Sequence, residues 1–268
     1  MKAPGRNYPR RLLAGGVLLS VALPFVPLVL WAFSSRWFYP QPWPQAWGLR
    51  AWEYIFNTAG SQIIPGLMQS VWVAGLSALL AVALGLPAGR ALGLYHFRGK
   101  QALAVLLTLP VVVPPLCVAM GLHLWFIRLG LTETLAGVVL IHSIFCLPYA
   151  VFVLWGVFAN YDPDFEDQAR SLGAGPWRTW YCITLPMVLP GVVVAGLFAF
   201  LLSWSQYLST LIIGGGRVVT LPILLFALMG SGDRPVAAAV SLVFVLPALL
   251  ILLISARCLG LRTATGVP

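Results

Sequence analysis

Asp162, Asp164, Glu166 and Asp167 crowd into six positions, and Arg170 follows them, in a chain that is 60% hydrophobic and only 9% charged. Neighbouring carboxylates of this kind could divide general acid and general base work between them. Helix-start chemistry explains the same residues with less. Asp162 suits an N-cap, Pro163 the first helical position, and the acids after it the positive end of the helix dipole. The other reactive residue types are scattered. Gly93 and Gly99-Lys100 (RALGLYHFRGK) suggest a phosphate loop, but five residues separate the glycines and Gln101 stands where Ser or Thr must reach Mg²⁺. His123 and His142 are isolated and read as hydrogen-bonded structure. Cys117, Cys146, Cys182 and Cys258 have no CxxC spacing and read as small apolar fillers, with no disulfide framework and no metal site. No cofactor is expected.

The elements that must position these residues are set by composition. A mean hydropathy of +0.93 over 268 residues is that of a polytopic membrane protein. Charge-free runs predict six helical spans near 12–33, 66–88, 102–126, 135–158, 189–212 and 235–256. Each supplies the roughly 20 apolar residues that cross about 30 Å of hydrocarbon. The first reads as a retained signal anchor, because no small-x-small site follows it and Trp31, Phe33 and Trp37 crowd its exit. With the N-terminus inside, eleven Lys and Arg, among them Lys2, Arg6, Arg90 and Arg262, face the cytoplasm and five face outward. Both termini are then cytoplasmic. The net charge of +9 is a topology signal and calls for no nucleic acid. Residues 1–65 form the anchor and an external Trp-rich segment, with an interfacial helix expected around 49–57. Residues 66–258 form the transmembrane domain, with a cytoplasmic loop at 159–186.

Pro110, Pro114 and Pro115 should kink or break the third span. The fifth carries its most polar patch, SWSQYLST, in which Ser203, Gln206, Tyr207 and Thr210 either bond helix to helix or line a solute path. Gly214, Gly215 and Gly216 follow as an external turn. All seven acids fall in predicted loops, which disfavours a proton- or sodium-coupled carrier. A membrane-embedded transferase would need clustered acids or histidines at one face, and the acid cluster already has its helix-start explanation.

The loop itself predicts two short helices. Phe165, Ala169 and Leu172 make an apolar stripe, Glu166 stands four residues before Arg170, and Gly173 suits the C′ position. A second helix restarts at Pro176 and presents Trp177, Trp180 and Tyr181 beyond a Gly-Ala-Gly turn. Clustered acids oppose a resting place on an anionic inner leaflet, so a protein partner fits better.

This stretch resembles the EAA loop of binding-protein-dependent ABC importer permeases: E-A-A, three residues, G, nine residues, I-x-L-P. It reads Asp167-Gln168-Ala169, then Gly173, then Ile183-Thr184-Leu185-Pro186, with Asp for Glu and Gln for the first Ala. FRGK (97–100), LPVVVPP (109–115), IHSIFCLPY (141–149) and PMVLPG (186–191) are similar to permeases for polyamines, thiamine, iron(III), phosphonate and sulfate, polyamine or thiamine foremost. The resemblance implies an all-α integral-membrane protein with the type I importer fold, in a bacterial inner membrane. It implies a pathway subunit rather than an enzyme, whose coupling helix sits in a groove of an ATPase through Glu166, Asp167, Ala169, Arg170, Leu172, Gly173, Ala174 and Trp177. A second permease subunit, two ATP-binding subunits and an extracytoplasmic solute-binding protein would complete the complex.

Overall fold

A computed structural model describes residues 8–38, 40–58 and 60–264. The first and last residues, with Lys2 and Arg6 used above for topology, lie outside them. The described residues fall into two compact units, 1–65 with 224–246, and 66–223 with 247–268.

The first unit opens with α1 (Tyr8–Ala22) and α2 (Phe25–Ala32), which bend by 41° at residues 23–24 in place of one straight helix. A small antiparallel pair follows, β1 (Ser34–Arg36) with β2 (Ala46–Trp47). Next comes α3 (Arg50–Glu53), continued by a π-helical turn at Tyr54–Thr58, where the sequence placed its interfacial helix. Trp31 and Trp37 stack at 4.3 Å, and Arg50 pairs with Asp233 at 2.7 Å.

The second unit is built from helices α4 to α11. They are α4 (Gly60–Leu94), α5 (Lys100–Val112), α6 (Pro115–Arg128), α7 (Leu135–Ala159), α8 (Asp164–Ser171), α9 (Pro176–Thr179), α10 (Leu185–Trp204) and α11 (Leu208–Gly214). After them come α12 (Leu221–Ser231), an apolar helix where the sequence predicted only a loop, and α13 (Arg234–Ala264). Among the described residues four helical stretches, Gln62–Leu94, Leu135–Ala159, Pro176–Trp204 and Arg234–Ile251, are long and apolar enough to span. Two bent pairs, α1 with α2 and α5 with α6, raise the count to six if each is one span.

One expected break and two departures from the sequence reading have physical causes. The α5–α6 pair turns by 102°, because Pro114 and Pro115 cannot continue the ladder and Val113 is forced extended. The fifth span does not begin at residue 189. Pro176 starts a helix that passes through a π-helical turn (Trp180–Thr184) into α10, so the second short helix is the span's own first turn. The same span breaks after Trp204, and Ser205, Gln206 and Tyr207 lie between α10 and α11.

The contact between α4, α7 and α10 is made largely of small residues. Ala78 and Ala81 of α4, Cys146 and Ala150 of α7, and Ala195 and Ala199 of α10 are buried together with Leu154. Lipid gives helices little hydrophobic reason to associate, so close backbone approach must supply the contact. Gly85, Gly89 and Gly93 recur every fourth residue on α4 and meet Ala150, Leu154 and Phe158, spaced likewise on α7. A Cβ at Gly89 would lie 2.6 Å from that of Leu154, and one at Gly93 2.5 Å from that of Phe158. Replacing Gly89 by Ala should therefore destabilise the protein by about 1–3 kcal/mol, the usual cost of overpacking. Gly75→Ala, where nothing lies within 4 Å, should be neutral or slightly stabilising. Thermal unfolding of both variants in detergent checks the contrast; equal midpoints would remove the seam as a determinant of packing.

Candidate coupling and pathway sites

The α8 region is a capped helix with one face turned inward. Asp162 Oδ1 accepts the Asp164 amide at 3.0 Å, so Asp162 caps the start while the regular helix begins at Asp164, one residue later than expected. At the other end Gly173 has φ +84°. Its amide donates to the Arg170 carbonyl (2.9 Å) and that of Ala174 to the Ala169 carbonyl (3.0 Å), a complete Schellman closure. The left-handed C′ turn expected at Gly173 is present.

Helix-start electrostatics do not exhaust the role of the acids. Glu166 is 4% exposed, and its carboxylate is the centre of a cluster. Oε1 accepts from the Thr184 hydroxyl (2.8 Å), from Arg90 Nη2 (3.1 Å) and from the Tyr161 hydroxyl (3.2 Å). Oε2 accepts from Arg90 at 2.8 Å and Arg170 at 3.3 Å, the latter being the pair four residues apart that the sequence showed. The Arg90 guanidinium also lies 5.4 Å from the Trp180 ring centre. Burial by itself would raise the Glu166 carboxyl. The Thr184 hydroxyl and Arg90 outweigh it, with help from Tyr161, and hold the group below the usual carboxylate range.

The sequence reading counted Arg90 only as a topology marker in a loop. It belongs to α4, which runs on to Leu94. A lone arginine in an otherwise apolar helical pattern was the available signal, but its partner is 76 positions away.

The remaining coupling residues divide by direction. Ala169 is buried, whereas Leu172 is 89% and Trp177 74% exposed, so the expected stripe of Phe165, Ala169 and Leu172 splits. Trp177 stacks on exposed Tyr181 at 6.3 Å. Asp167 is exposed and pairs with Arg170 at 3.1 Å. Phe165, Gln168, Leu172, Ala174 and Arg178 line an open cleft of about 540 Å³ beside α8.

The polar patch of the fifth span also divides. His142 of α7 is 1% exposed. Its Nδ1 lies 2.7 Å from Ser203 Oγ and its Nε2 2.9 Å from Thr210 Oγ1. Thr210 donates to the Gln206 carbonyl (3.1 Å), which leaves its oxygen to accept from Nε2–H and the Ser203 hydroxyl to donate to Nδ1. The imidazole thus joins α10 to α11 across their break. Gln206 and Tyr207, within the break, stay half-buried.

Long apolar helices around a small-residue core, a broken span with polar residues at its break, and a capped hydrophilic helix held beside them define an integral-membrane transport subunit. Residues 81–264 match the binding-protein-dependent transport system inner membrane component family, and the chain belongs to that family. It is 34% identical to the molybdenum transport system permease protein ModB of Mycobacterium tuberculosis, over 90% of this chain and 91% of that one. It is 27% identical to the spermidine/putrescine permease protein PotC of Haemophilus influenzae, over 86% and 90%. Among solved structures it is similar to a bacterial ABC transporter involved in alginate import, with a TM-score of 0.74 at 14% identity over 94% and 95% of the two chains. Against the MetNI methionine ABC transporter the TM-score is 0.60 at 16% identity, over 75% and 96%. The fold is that of type I ABC importer permeases, and the chain is an inner-membrane component of such a system.

A carboxyl held low in the folded state contributes stability above its unfolded value, about 4.3 for glutamate, and loses it as pH falls through the lower folded value. The gap in unfolding temperature between the native protein and Glu166→Gln should be constant near neutrality and close as the pH drops below about 4.3. A gap that does not change with pH would mean that the charge of Glu166 does not stabilise the fold.

Proposed function

We propose that this permease subunit docks an ATP-binding subunit on the outer surface of α8 and its turn, and passes a small ion along a path at the break of its fifth span. The observation that carries the docking reading is the pairing of a fully satisfied inner face with an exposed apolar rim. Leu172, Trp177 and Tyr181 stand out from a loop whose buried polar groups are all paired, and a cleft runs beside them. Glu166 then holds the helix in place without touching the partner, while Asp167, Leu172 and Trp177 are the contacting side chains. A second permease subunit and an extracytoplasmic binding protein complete the assembly; a similar fold occurs in an alginate ABC transporter in complex with a periplasmic protein.

Leu172→Asp should abolish co-purification of the ATP-binding subunit while leaving the unfolding temperature unchanged, since this side chain is 89% exposed. Gly173→Asp strains the left-handed turn by about 1 kcal/mol or more and should weaken capture too. Asp167→Asn should be milder, because the helix dipole and Glu166 remain. Full capture by Leu172→Asp would overturn the docking reading.

The cytoplasmic side is proposed for α8. Arg90, Glu166 and Arg170 meet at one end, and Arg217 pairs with Glu133 (3.1 Å) between two loops assigned to the opposite side. Reporter fusions after residue 268 and within 214–216 should register opposite faces; matching signals would reject this topology.

For the path, Gln206 and Tyr207 are the proposed lining. Non-helical backbone at membrane depth is tolerated where it is buried or faces water, and broken helices supply many transporter sites. Ser203 and Thr210, already bonded to His142, serve packing. An oxyanion is favoured as solute, since no carboxylate lies on α4, α7, α10 or α11 to receive a polyamine, and the relative named for molybdenum is 34% identical. Polyamine remains the second reading on the strength of the spermidine/putrescine relative. The complete importer in proteoliposomes should accumulate molybdate with ATP, and Gln206→Leu should lower that uptake about tenfold or more, in the range of site coupling. Accumulation of putrescine but not molybdate would reverse the choice.

A further inference from the structure

We infer that the Arg90–Glu166 ion pair is the joint through which movement of α8 enters the membrane helices, with Arg90 as its positioning residue. The inference rests on the reading of α8 as the ATPase docking helix. It adds where the force goes.

A helix of eight residues, entered through Tyr161–Pro163 and left through a glycine turn, has little attachment of its own. Ala169 is its one buried apolar side chain. Glu166 supplies what packing does not. Its two oxygens take five hydrogen bonds, which occupy the four or so acceptor sites of a carboxylate; one comes from Arg170 of α8 itself, and the other four come from three directions outside the helix. Arg90 belongs to α4, Tyr161 follows α7, and Thr184 stands in the π-helical turn that leads into α10. Displacing α8 relative to any of these would strand a buried charge, which is strongly disfavoured. The load therefore passes to α4 and α10 together.

Arg90 is fixed on both sides, by the carboxylate and by the Trp180 ring. Its Nη2 reaches both Glu166 oxygens, at 3.1 and 2.8 Å, and such charge-assisted hydrogen bonds are stronger than neutral ones. Trp180 and Thr184 both reach the cluster from the widened π turn, a distortion often found at functional positions. On either side of Arg90, α4 carries the glycine seam, Gly85 and Gly89 before it and Gly93 after it, that packs it against α7. A push on α8 thus reaches helices that are closely packed on one another.

The test uses the complete importer in nanodiscs, with the native cysteines replaced and spin labels on cysteines at exposed Ser171 of α8 and at Tyr95 beside the end of α4. Distances are measured without nucleotide and with Mg-ATP and vanadate. With Arg90 present, the separation should be the same in both states. In Arg90→Gln, with the ATP-binding subunit still captured, it should change by about 2 Å or more, the scale of helix shifts in switching proteins. Arg90→Lys, which keeps the charge, should restore most of the rigidity, and it carries the test if the glutamine variant does not fold. A separation that moves in the native protein, or one that stays fixed in Arg90→Gln, overturns the joint. So does loss of the ATP-binding subunit from folded Arg90→Gln, because the pair would then only shape the docking surface. The docking reading fails separately, if Leu172→Asp still captures that subunit.

Discussion

One buried carboxylate organises the hydrophilic end of this protein. Glu166 sits outside the apolar segments but out of water, and such a charge is tolerated only when its lone pairs are taken up. Every donor that meets this demand is drawn from a different stretch of chain. Arg90 must stay helical beyond the apolar part of α4, Tyr161 must close the end of α7, and Thr184 must come round on the π-helical turn before α10. The end points of three long helices are thereby tied to one short one. An amphipathic helix resting on lipid would need none of this.

Within the apolar layer the governing constraint is closeness of approach. Ala, Cys and Gly fill the contact between α4, α7 and α10, and Cys146 Sγ reaches the Ala199 carbonyl at 3.2 Å. Large apolar residues are buried as well, Phe158 and Ile141 among them, but many more, such as Val105, Val112 and Met120, are exposed. Such exposure suits a surface covered by hydrocarbon or by a second subunit. The small-residue seam and the Glu166 cluster meet on α4, where Gly89 and Arg90 are adjacent. One side chain faces the packed helix and the next faces the charge.

The fifth span shows how a break is made stable. Three residues leave the helical ladder between α10 and α11, and freed polar groups at such a place need partners. His142 supplies them from α7, with one ring nitrogen for each side of the break, while Ser209 donates to Gln206 Oε1 at 2.7 Å. The polar patch is therefore two populations, one that holds the break and one that the break presents.

Composition and local patterning were sufficient for the class of protein, the helix start at Asp162, the C′ turn at Gly173 and the break at Pro114, because each depends on residues within a turn or two of chain. The loop spacing in residues 167–186 likewise carried the family. What the sequence reading missed lies between distant positions. It placed Arg90 in a loop, did not pair Glu166 with Arg90, Tyr161 or Thr184, put Ser203 and Thr210 with Gln206 on one face, and overlooked the glycines of α4. Hydropathy records how apolar a segment is, and not which neighbour it meets. A buried ion pair spanning 76 positions, or a glycine whose missing Cβ makes room for Leu154, exists only once the helices are packed. The direction of each side chain around those helices was decided by tertiary structure, because desolvated charges and close backbone contacts admit few arrangements.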